Sequence, residues 1–372
     1  SYAIKIENQI SNRSGRTWVG SLYSQIKHKP VEQEHSFMQP RTYEGATLSS
    51  PAKRYQKLPY DKLEKATVNE NIKDGWMAMQ QHYFLTAWIP DPAQTNHYYT
   101  HVTSLGAGEY DKIYTIGFVA PETQLAPGAS ESISSTFYVG PESTKQLEPL
   151  APGLDLTIDY GWLWIISKAI FWVMDHINSI VGNWGWSIIL VTVLIKLLFY
   201  KLSEASYRSM ARMRELQPRL ATLRERYGDD KQKLSQSTME IYKKEKINPL
   251  GGCLPVIVQI PVFIALYYVL FESVELRQAP FILWIHDLSV KDPYYVLPIL
   301  MGLSMFAQQK LSPPPPDPTQ AKVMMFLPVI FTVFFLSFPA GLVLYWLVNN
   351  CLSALQQWYI IKRMEAKHHS KK

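Results

Sequence analysis

Cysteine is scarce in this chain. Its 372 residues include only Cys253 and Cys351, and both lie in apolar stretches. Two cysteines are too few for the multi-bridge framework of a small disulfide-stabilised domain, so the fold must rest on buried apolar surface. We predict that both cysteines are packing residues.

Patterns that bind phosphate or metal are missing as well. No G-x-x-x-x-G-K stretch occurs, which excludes ATP hydrolysis by a P-loop. The histidines of the first half have no metal-ligand spacing, so we predict satisfied or exposed imidazoles rather than a metal or acid–base site. These histidines are His28, His35, His82, His97 and His101. No cofactor, metal ligand or catalytic residue is predicted, and the chain is not expected to be an enzyme.

Charge and hydropathy divide the chain near residue 160. Residues 1–160 hold 14 Lys and Arg against 17 Asp and Glu, whereas residues 161–372 hold 23 against 14, which gives net charges of −3 and +9. Long uncharged apolar stretches occur only in the second part. The pattern predicts a polar domain followed by a membrane domain.

The sequence of residues 1–155 predicts an antiparallel β-sandwich. Aromatic and β-branched residues concentrate in short segments bounded by turn residues, as is typical of strands. The segments are RTWVGSLYSQI, GWMAMQQHYFLTAWI, DKIYTIGFVA and SISSTFYVG. Residues 39–71 are polar with weak periodicity and predict loops with at most one short helix. The opening SYAIKIENQI already alternates, so we expect the chain to begin inside a strand and a preceding export or anchoring segment to be missing.

Residues 156–180 predict an amphipathic helix at the membrane interface. Aromatic side chains such as Trp164 and Trp172 mix there with charged ones such as Lys168 and Asp175, and this mixture suits a helix that lies along a bilayer surface. The alternative is a helix buried against the sandwich.

The remaining chain, residues 181–372, predicts five transmembrane helices. Stretches with little or no charge cover residues 181–202, 249–271, 293–309 and 323–361. The last is long enough for two crossings, and SFPAG at 337–341 is expected to break it. The third span and the helix before that break are short for a hydrocarbon core of ~30 Å. They would thin the bilayer around them unless their ends extend into the loops.

Basic residues predict the orientation. Residues 201–246 carry 12 Lys and Arg against 7 acidic residues, and the tail IKRMEAKHHSKK is basic, whereas residues 273–292 hold two basic and three acidic residues. The positive-inside rule then places both basic segments in the cytoplasm and residues 1–160 outside. Residues 203–246 predict a cytoplasmic helical hairpin, either merely solvated or a docking surface for ribosome, targeting factors or acidic lipid. The proline run at 313–318 predicts a stiff connector rather than a polyproline ligand.

Lys196 lies inside the first predicted span, where inserting a lysine costs about 2.5–3.5 kcal/mol. Its side chain could snorkel to the cytoplasmic interface, or it could serve a function. Function is favoured because every predicted span carries polar residues. The groove residues so predicted are Thr192, Lys196, Gln259, Ser304, Gln308, Asn349, Asn350 and Ser353, with Thr332 as a further polar candidate. We predict that they enclose a wet cavity with one fixed positive charge, closed toward the outer side.

Long motifs in both halves resemble a known family, the Oxa/Alb/YidC membrane-protein insertases in their Gram-negative form. The motifs are LDLTIDYGWLW, NPLGGCLPVIVQIPVFIALYYVL, LRQAPFILWIHDLS, DPYYVLPILMG and FLPVIFTVFFLSFPAGLVLYWLVNN. The resemblance covers essentially the whole chain. It implies that the family's first transmembrane helix and the front of its periplasmic domain are lacking here.

The resemblance also implies a fold and a site. The fold is a periplasmic β-supersandwich of the galactose-mutarotase type, followed by a five-helix core in the bacterial inner membrane with a groove open to cytoplasm and lipid. The family's groove arginine corresponds to Lys196, which keeps the charge and loses the bidentate fork. Phe263, Tyr345 and Trp346 fall where the family contacts the incoming hydrophobic helix, with tryptophan replacing a more usual tyrosine.

The implied function is insertion and chaperoning of inner-membrane proteins, alone or with the Sec translocon. The implied partners are nascent membrane proteins, the Sec translocon and its accessory subunits, ribosome and signal-recognition targeting factors, and membrane lipids, without recognition of nucleic-acid sequence. A secondary transporter or channel is the main alternative, but inverted repeats and paired ionisable groups are not found. A carbohydrate enzyme is weaker still, because residues 1–160 offer no credible carboxylate pair.

Overall fold

The computed structural model of the chain describes residues 2–30, 42–106, 108, 110–227, 230–245, 254–312 and 318–369. The chain divides into two compact units, one of residues 1–159 and 272–275 and the other of residues 160–271 and 276–372. Several sequence predictions fall outside the described residues. They concern the proline run at 313–317, the turn at 228–229, the start of the second span at 249–253, His35 and Cys253.

The first unit is built from antiparallel strands. Within the described residues these are β1 (Ala3–Ser11), β2 (Trp18–Gly20), β3 (Tyr23–His28), β4 (Gly45–Leu48), β5 (Gln56–Leu58), β6 (Asn69–Lys73), β7 (Met77–Gln80), β8 (Phe84–Pro90), β9 (Thr95–Ser104), β10 (Lys112–Val119), β11 (Thr123–Leu125) and β12 (Ser130–Pro141). They pair in the order β1-β12-β8-β7-β4-β5 in one sheet, β3-β10-β9-β6 in a second and β11-β2 in a third. Two one-turn helices, α1 (Tyr60–Leu63) and α2 (Thr144–Leu147), accompany the strands.

One apolar core joins the two larger sheets. Leu48 and Met77 reach it from the first sheet, and Tyr98, Ile116 and Phe118 reach it from the second. Burial alternates along β8 and β9, because successive side chains of a strand point to opposite faces. The β-rich N-terminal domain predicted from the sequence is confirmed.

The polar stretch at residues 39–71 contains more structure than predicted. It holds the expected short helix, α1, but also β4, β5 and the start of β6. These strands are short, and β5 and β6 lie at the ends of their sheets. Edge strands of this kind are held by backbone pairing to a neighbour, which the periodicity of side chains does not reveal.

The second unit is helical, as predicted for the region after the β-rich domain. Within the described residues its helices are α3 (Trp164–Val181), α4 (Trp184–Leu198), α5 (Tyr200–Glu215), α6 (Gln217–Tyr227), α7 (Lys231–Lys244), α8 (Leu254–Glu272), α9 (Val296–Leu311), α10 (Pro318–Phe335) and α11 (Ala340–His369). α11 packs against α4, α5 and α9, while α3 packs on α4 and α10 on α9. Cys351 is exposed on α11, so the prediction that it is a packing residue is wrong.

The helical unit has two helix breaks of interest, one that the sequence predicts and one that it does not. The break at SFPAG is where it was predicted, since α10 ends at Phe335 and α11 begins at Ala340. The first predicted span instead ends early, because α4 stops at Leu198. The chain bends there by 68° between the axes of α4 and α5. The described part of residues 203–246 forms parts of three helices, α5, α6 and α7, and α6 packs against α7.

By length and composition, no single helix in the described part of the chain is long and apolar enough to cross a bilayer. The bent pair of α4 and α5 meets that criterion when the two helices are taken together.

The segment between α8 and α9 folds over the N-terminal end of α11. Backbone amides of Ala340 and Gly341 donate to the carbonyls of Val290 and Leu288, at 2.7 and 2.9 Å. Asp292 is buried and accepts hydrogen bonds from the Trp284 indole and from the Leu297 amide in the first turn of α9. These hydrogen bonds fasten the segment to the N-terminal end of α11 and satisfy its backbone groups internally.

Candidate functional site

Lys196 points into the helical unit, where neutral groups hold its ammonium. Nζ donates to Ser353 Oγ at 2.7 Å and to Gln259 Oε1 at 3.4 Å. The Ser353 hydroxyl proton is already donated to the Asn349 carbonyl, so its oxygen is free to accept from Lys196. The Gln259 amide donates to Asn349 Oδ1, which turns its carbonyl toward the lysine. The side chain is therefore held inward and does not snorkel.

These groups lie in the wall of a cavity of about 310 Å³ between α4, α5, α8, α9 and α11. The cavity is lined by Lys196, Ser203, Ser206, Tyr207, Met210, Gln259, Ile260, Phe263, Gln308, Ser312, Tyr345, Trp346, Asn349, Asn350, Ser353 and Gln357. Among the described residues, the lining includes one cationic side chain and no carboxylate. The cavity volume far exceeds the ~30 Å³ of a water molecule, and polar side chains lie on one part of the wall, so we expect the cavity to hold water there.

The lining buries polar atoms that have no hydrogen-bond partner among the described residues. Gln357 Oε1 and Trp346 Nε1 are examples. A buried polar atom without a partner costs about 1–3 kcal/mol. Solvent or a polar ligand in the cavity would remove that cost.

The structure brings most of the predicted groove residues together, although it does not test what they do. Lys196, Gln259, Gln308, Asn349, Asn350 and Ser353 line the cavity. Thr192 does not, because it is 1% exposed and its hydroxyl donates to the Ile188 carbonyl of its own helix. Ser304 lies behind the wall and accepts a hydrogen bond from Asn350 at 3.2 Å.

Sequence reasoning missed a second polar stripe. Ser203, Ser206, Tyr207 and Met210 line the cavity from α5, the helix that turns away from α4 at the unpredicted bend. Their spacing of i, i+3, i+4 and i+7 is that of one helix face. This spacing is visible in the sequence, but these four residues are not among the predicted groove residues.

An aromatic cluster forms the apolar side of the cavity. The Phe263 and Trp346 rings meet edge to face, with centroids 4.6 Å apart, and Tyr345 stacks on Phe263 at 6.0 Å. Phe331 and Phe335 of α10 pack on the other side of Trp346. The three residues predicted to contact substrate thus share one wall, and Tyr345 is itself almost fully buried.

The described part of the chain places no three His, Cys, Asp or Glu side chains where they could hold a metal ion. His28 lies within hydrogen-bond distance of Tyr60 and Gln81, and His97 of Asn71. These histidines therefore have structural partners.

Two family models match the chain. The 60Kd inner membrane protein model matches residues 176–368, and the YidC periplasmic domain model matches residues 1–173. Together they define the class, an inner membrane protein with a periplasmic domain. The chain belongs to the YidC family.

Curated relatives in this family are named membrane protein insertase YidC. One from Coxiella burnetii (strain RSA 493 / Nine Mile phase I) is 57% identical over 366 residues, which are 98% of this chain and 64% of the relative. One from Pseudomonas fluorescens (strain SBW25) is 54% identical over 367 residues, again 98% and 64%. The chain spans less than two thirds of the length of these relatives. A solved structure, the active YidC insertase with its first transmembrane domain resolved, has a TM-score of 0.48 and 16% identity, covering 84% of this chain and 79% of that one.

Proposed function

We propose that this chain is a membrane protein insertase and chaperone that works through the cavity around Lys196. The observation that carries the proposal is an ammonium held by neutral partners in the wall of a cavity whose described lining has no carboxylate. A charge placed this way attracts an acidic group that enters from outside the protein. The names of the relatives at 54–57% identity support the same function.

The proposed topology is multi-pass in the bacterial inner membrane. α4, α8, α9, α10 and α11 serve as the transmembrane helices, and α3 lies along the interface with its exposed Trp164 and Trp172 toward lipid. The first unit, of residues 1–159 and 272–275, is called the β unit from here on. The β unit is periplasmic, whereas α5 to α7 and the C-terminus are cytoplasmic. This orientation is supported by the excess of basic residues in 201–246. The N-terminal end of α11, over which the segment before α9 folds, then faces the periplasm, and in this proposal it is the closed end of the cavity.

In the proposed mechanism, the cavity receives the polar tail or loop of a nascent membrane protein. Ser353 lies about 20 Å along α11 from the closed end, at ~1.5 Å per residue, so the tail would cross only part of the bilayer in contact with protein and water. Lys196 attracts acidic residues of the tail. The tail is thereby spared the full cost of desolvation in hydrocarbon.

The rest of the path is shortened by the helices themselves. α4 has 15 residues and α9 has 16, which correspond to ~22 and ~24 Å, against a hydrocarbon core of ~30 Å. Helices of this length thin the surrounding bilayer. The apolar segment of the substrate then slides past Phe263 and Trp346 into lipid, and its burial there drives completion. No nucleotide is consumed.

The proposed partners follow from this arrangement. Nascent membrane proteins are the substrates, and the Sec translocon with its accessory subunits is a partner for part of them. The ribosome and signal-recognition targeting factors would dock on the basic cytoplasmic helices, which also meet anionic lipid.

Site-specific crosslinking tests the proposed route. A photoreactive residue at position 263, in the cavity wall, should crosslink to ribosome-stalled nascent membrane proteins at least ten-fold more than one at position 303. Leu303 lies on α9, is 60% exposed and is absent from the cavity lining, so it controls for contact through lipid. Equal yields at the two positions would contradict a route through the cavity.

A further inference from the structure

The β unit buries a group of ionisable side chains that the proposed insertion route does not use. Glu142, directly after β12, is 4% exposed. Its Oε1 accepts a hydrogen bond from Gln80 Nε2 at 3.1 Å, and the same nitrogen donates to the Thr157 carbonyl at 2.9 Å. Gln80 in turn accepts from the Tyr55 hydroxyl. Glu142 is thus fixed in a buried polar network rather than turned to solvent.

Residues Glu272–Glu275 belong to the same unit, although they are more than a hundred residues away in the sequence. The Glu272 carboxyl lies 3.9 Å from the His82 imidazole, and its side chain is 11% exposed. Ser143, next to Glu142, donates a hydrogen bond to Glu275 at 2.9 Å. Ser273 between them is 2% exposed. The segment is therefore packed against the loop that follows β12.

The charges around Glu142 do not balance. Asp159 and Glu272 both act on it, while Lys57 pairs with Asp159. Burial raises the pKa of Glu142 well above its usual range, the Gln80 hydrogen bond lowers it in part, and the negative charges of Glu272 and Asp159 raise it again. Among the described residues Glu142 has no ion-pair partner, and His82 and Lys57 lie toward Glu272 and Asp159. The backbone amide of Glu142 donates to the Tyr83 carbonyl at 2.9 Å, and the neighbouring His82 lies beside Glu272. The two buried glutamates therefore occupy the same region of the β unit.

We propose that Glu142 and Glu272 form a proton-operated latch: the segment Glu272–Glu275 stays packed on the β unit while at least one of them is protonated, and it detaches when both ionise. Two buried negative charges would repel each other in a medium of low dielectric constant, and the hydrogen bond from Gln80 reaches only Glu142.

The pH dependence has a definite sign. The packed form of a carboxyl group with a raised pKa holds a proton that the detached, solvated form has lost. Packing of the segment Glu272–Glu275 on the β unit is therefore strongest at a pH below the ordinary pKa of a glutamate. It weakens as the pH rises through the raised pKa of Glu142.

Hydrogen–deuterium exchange of the full chain in detergent micelles tests the latch. Amides of residues 272–276 should lose at least ten-fold protection between pH 6 and pH 9, after correction for the intrinsic exchange rate. Glu142→Gln should keep them protected at both pH values, because its amide cannot ionise. Glu148→Gln removes an exposed glutamate a few residues away and should behave like the wild type.

Wild-type protection of residues 272–276 that does not change between pH 6 and pH 9 would overturn the latch without any variant. The latch would also be overturned if Glu142→Gln lost protection with pH as steeply as the wild type. If Glu142→Gln does not fold, Glu272→Gln removes the other carboxylate and should flatten the profile in the same way, and an unchanged slope there would equally overturn the proposal.

Discussion

Lys196→Glu is expected to block insertion of a small membrane protein whose translocated tail is acidic. The ammonium stands among neutral partners, so reversing its sign turns attraction of the tail into repulsion. Two charges ~8 Å apart interact by about 2 kcal/mol at an effective dielectric constant of ~20. Since ~1.4 kcal/mol is a factor of ten in rate, Lys196→Ala should slow insertion roughly thirty-fold and Lys196→Glu more. The measurement is protease protection of the tail in reconstituted vesicles.

Two controls separate the charge from the packing. Lys196→Arg retains the positive charge and should keep most of the activity. A substrate whose tail carboxylates are replaced by amides should be insensitive to Lys196→Glu. Unchanged insertion of the acidic substrate by the Glu variant would contradict the role given to this charge, as would an equal loss with the neutral tail.

Trp346→Ala is expected to be strongly destabilising for the helical unit. The indole packs on Phe263, Phe331 and Phe335 with ring centroids 4.6 to 6.0 Å apart. Removing a large aromatic side chain from such packing costs about 3 kcal/mol or more, which corresponds to a fall in Tm of roughly 6–12 °C for a domain of this size. Thermal unfolding of the detergent-solubilised chain measures it.

Trp358→Ala is the matched control for this loss. Trp358 lies on the same helix but is 51% exposed, with Lys362 above its ring. Contacts of that kind are worth about 0.5–1 kcal/mol, so its Tm should fall by only a few degrees. Equal losses for the two variants would mean that the aromatic wall of the cavity is not a packed structure.

Lys196 illustrates how far the sequence alone could go. Its position inside an apolar run marked it as costly, and the polar residues of other spans suggested a cavity around it. The sequence left snorkelling open, because a lysine stem can point either way along a helix. Only the hydrogen bonds to Ser353 and Gln259 decide the direction. Thr192 was predicted to face the groove, but a threonine can donate its hydroxyl proton to a carbonyl of its own helix, as Thr192 does to Ile188.

The wall contributed by α5 could not be placed without the bend at Phe199. No Gly or Pro marks that point, and the apolar run continues through Leu202, so periodicity predicted one straight span. The break at SFPAG was predictable because proline cannot donate a backbone hydrogen bond. Helix breaks that rest on tertiary packing leave no such signal.

The buried carboxyl group of the β unit was also beyond the sequence. Glu142 and Glu272 are 130 positions apart in sequence numbering, and each looks like an ordinary surface glutamate. Their proximity depends on the way residues 272–275 fold against the strands. No local pattern in the sequence predicts such a pairing.

Thiol labelling of the cavity wall most directly tests whether water reaches the surroundings of Lys196. With Cys253 and Cys351 replaced by serine, Asn349→Cys should react rapidly with a charged, membrane-impermeant thiol reagent added from the cytoplasmic side. Leu355→Cys, on an exposed apolar face of the same helix, should remain unreactive. Failure of Asn349→Cys to react, or equal reaction at both positions, would contradict a water-filled cavity and with it the proposed path for nascent chains.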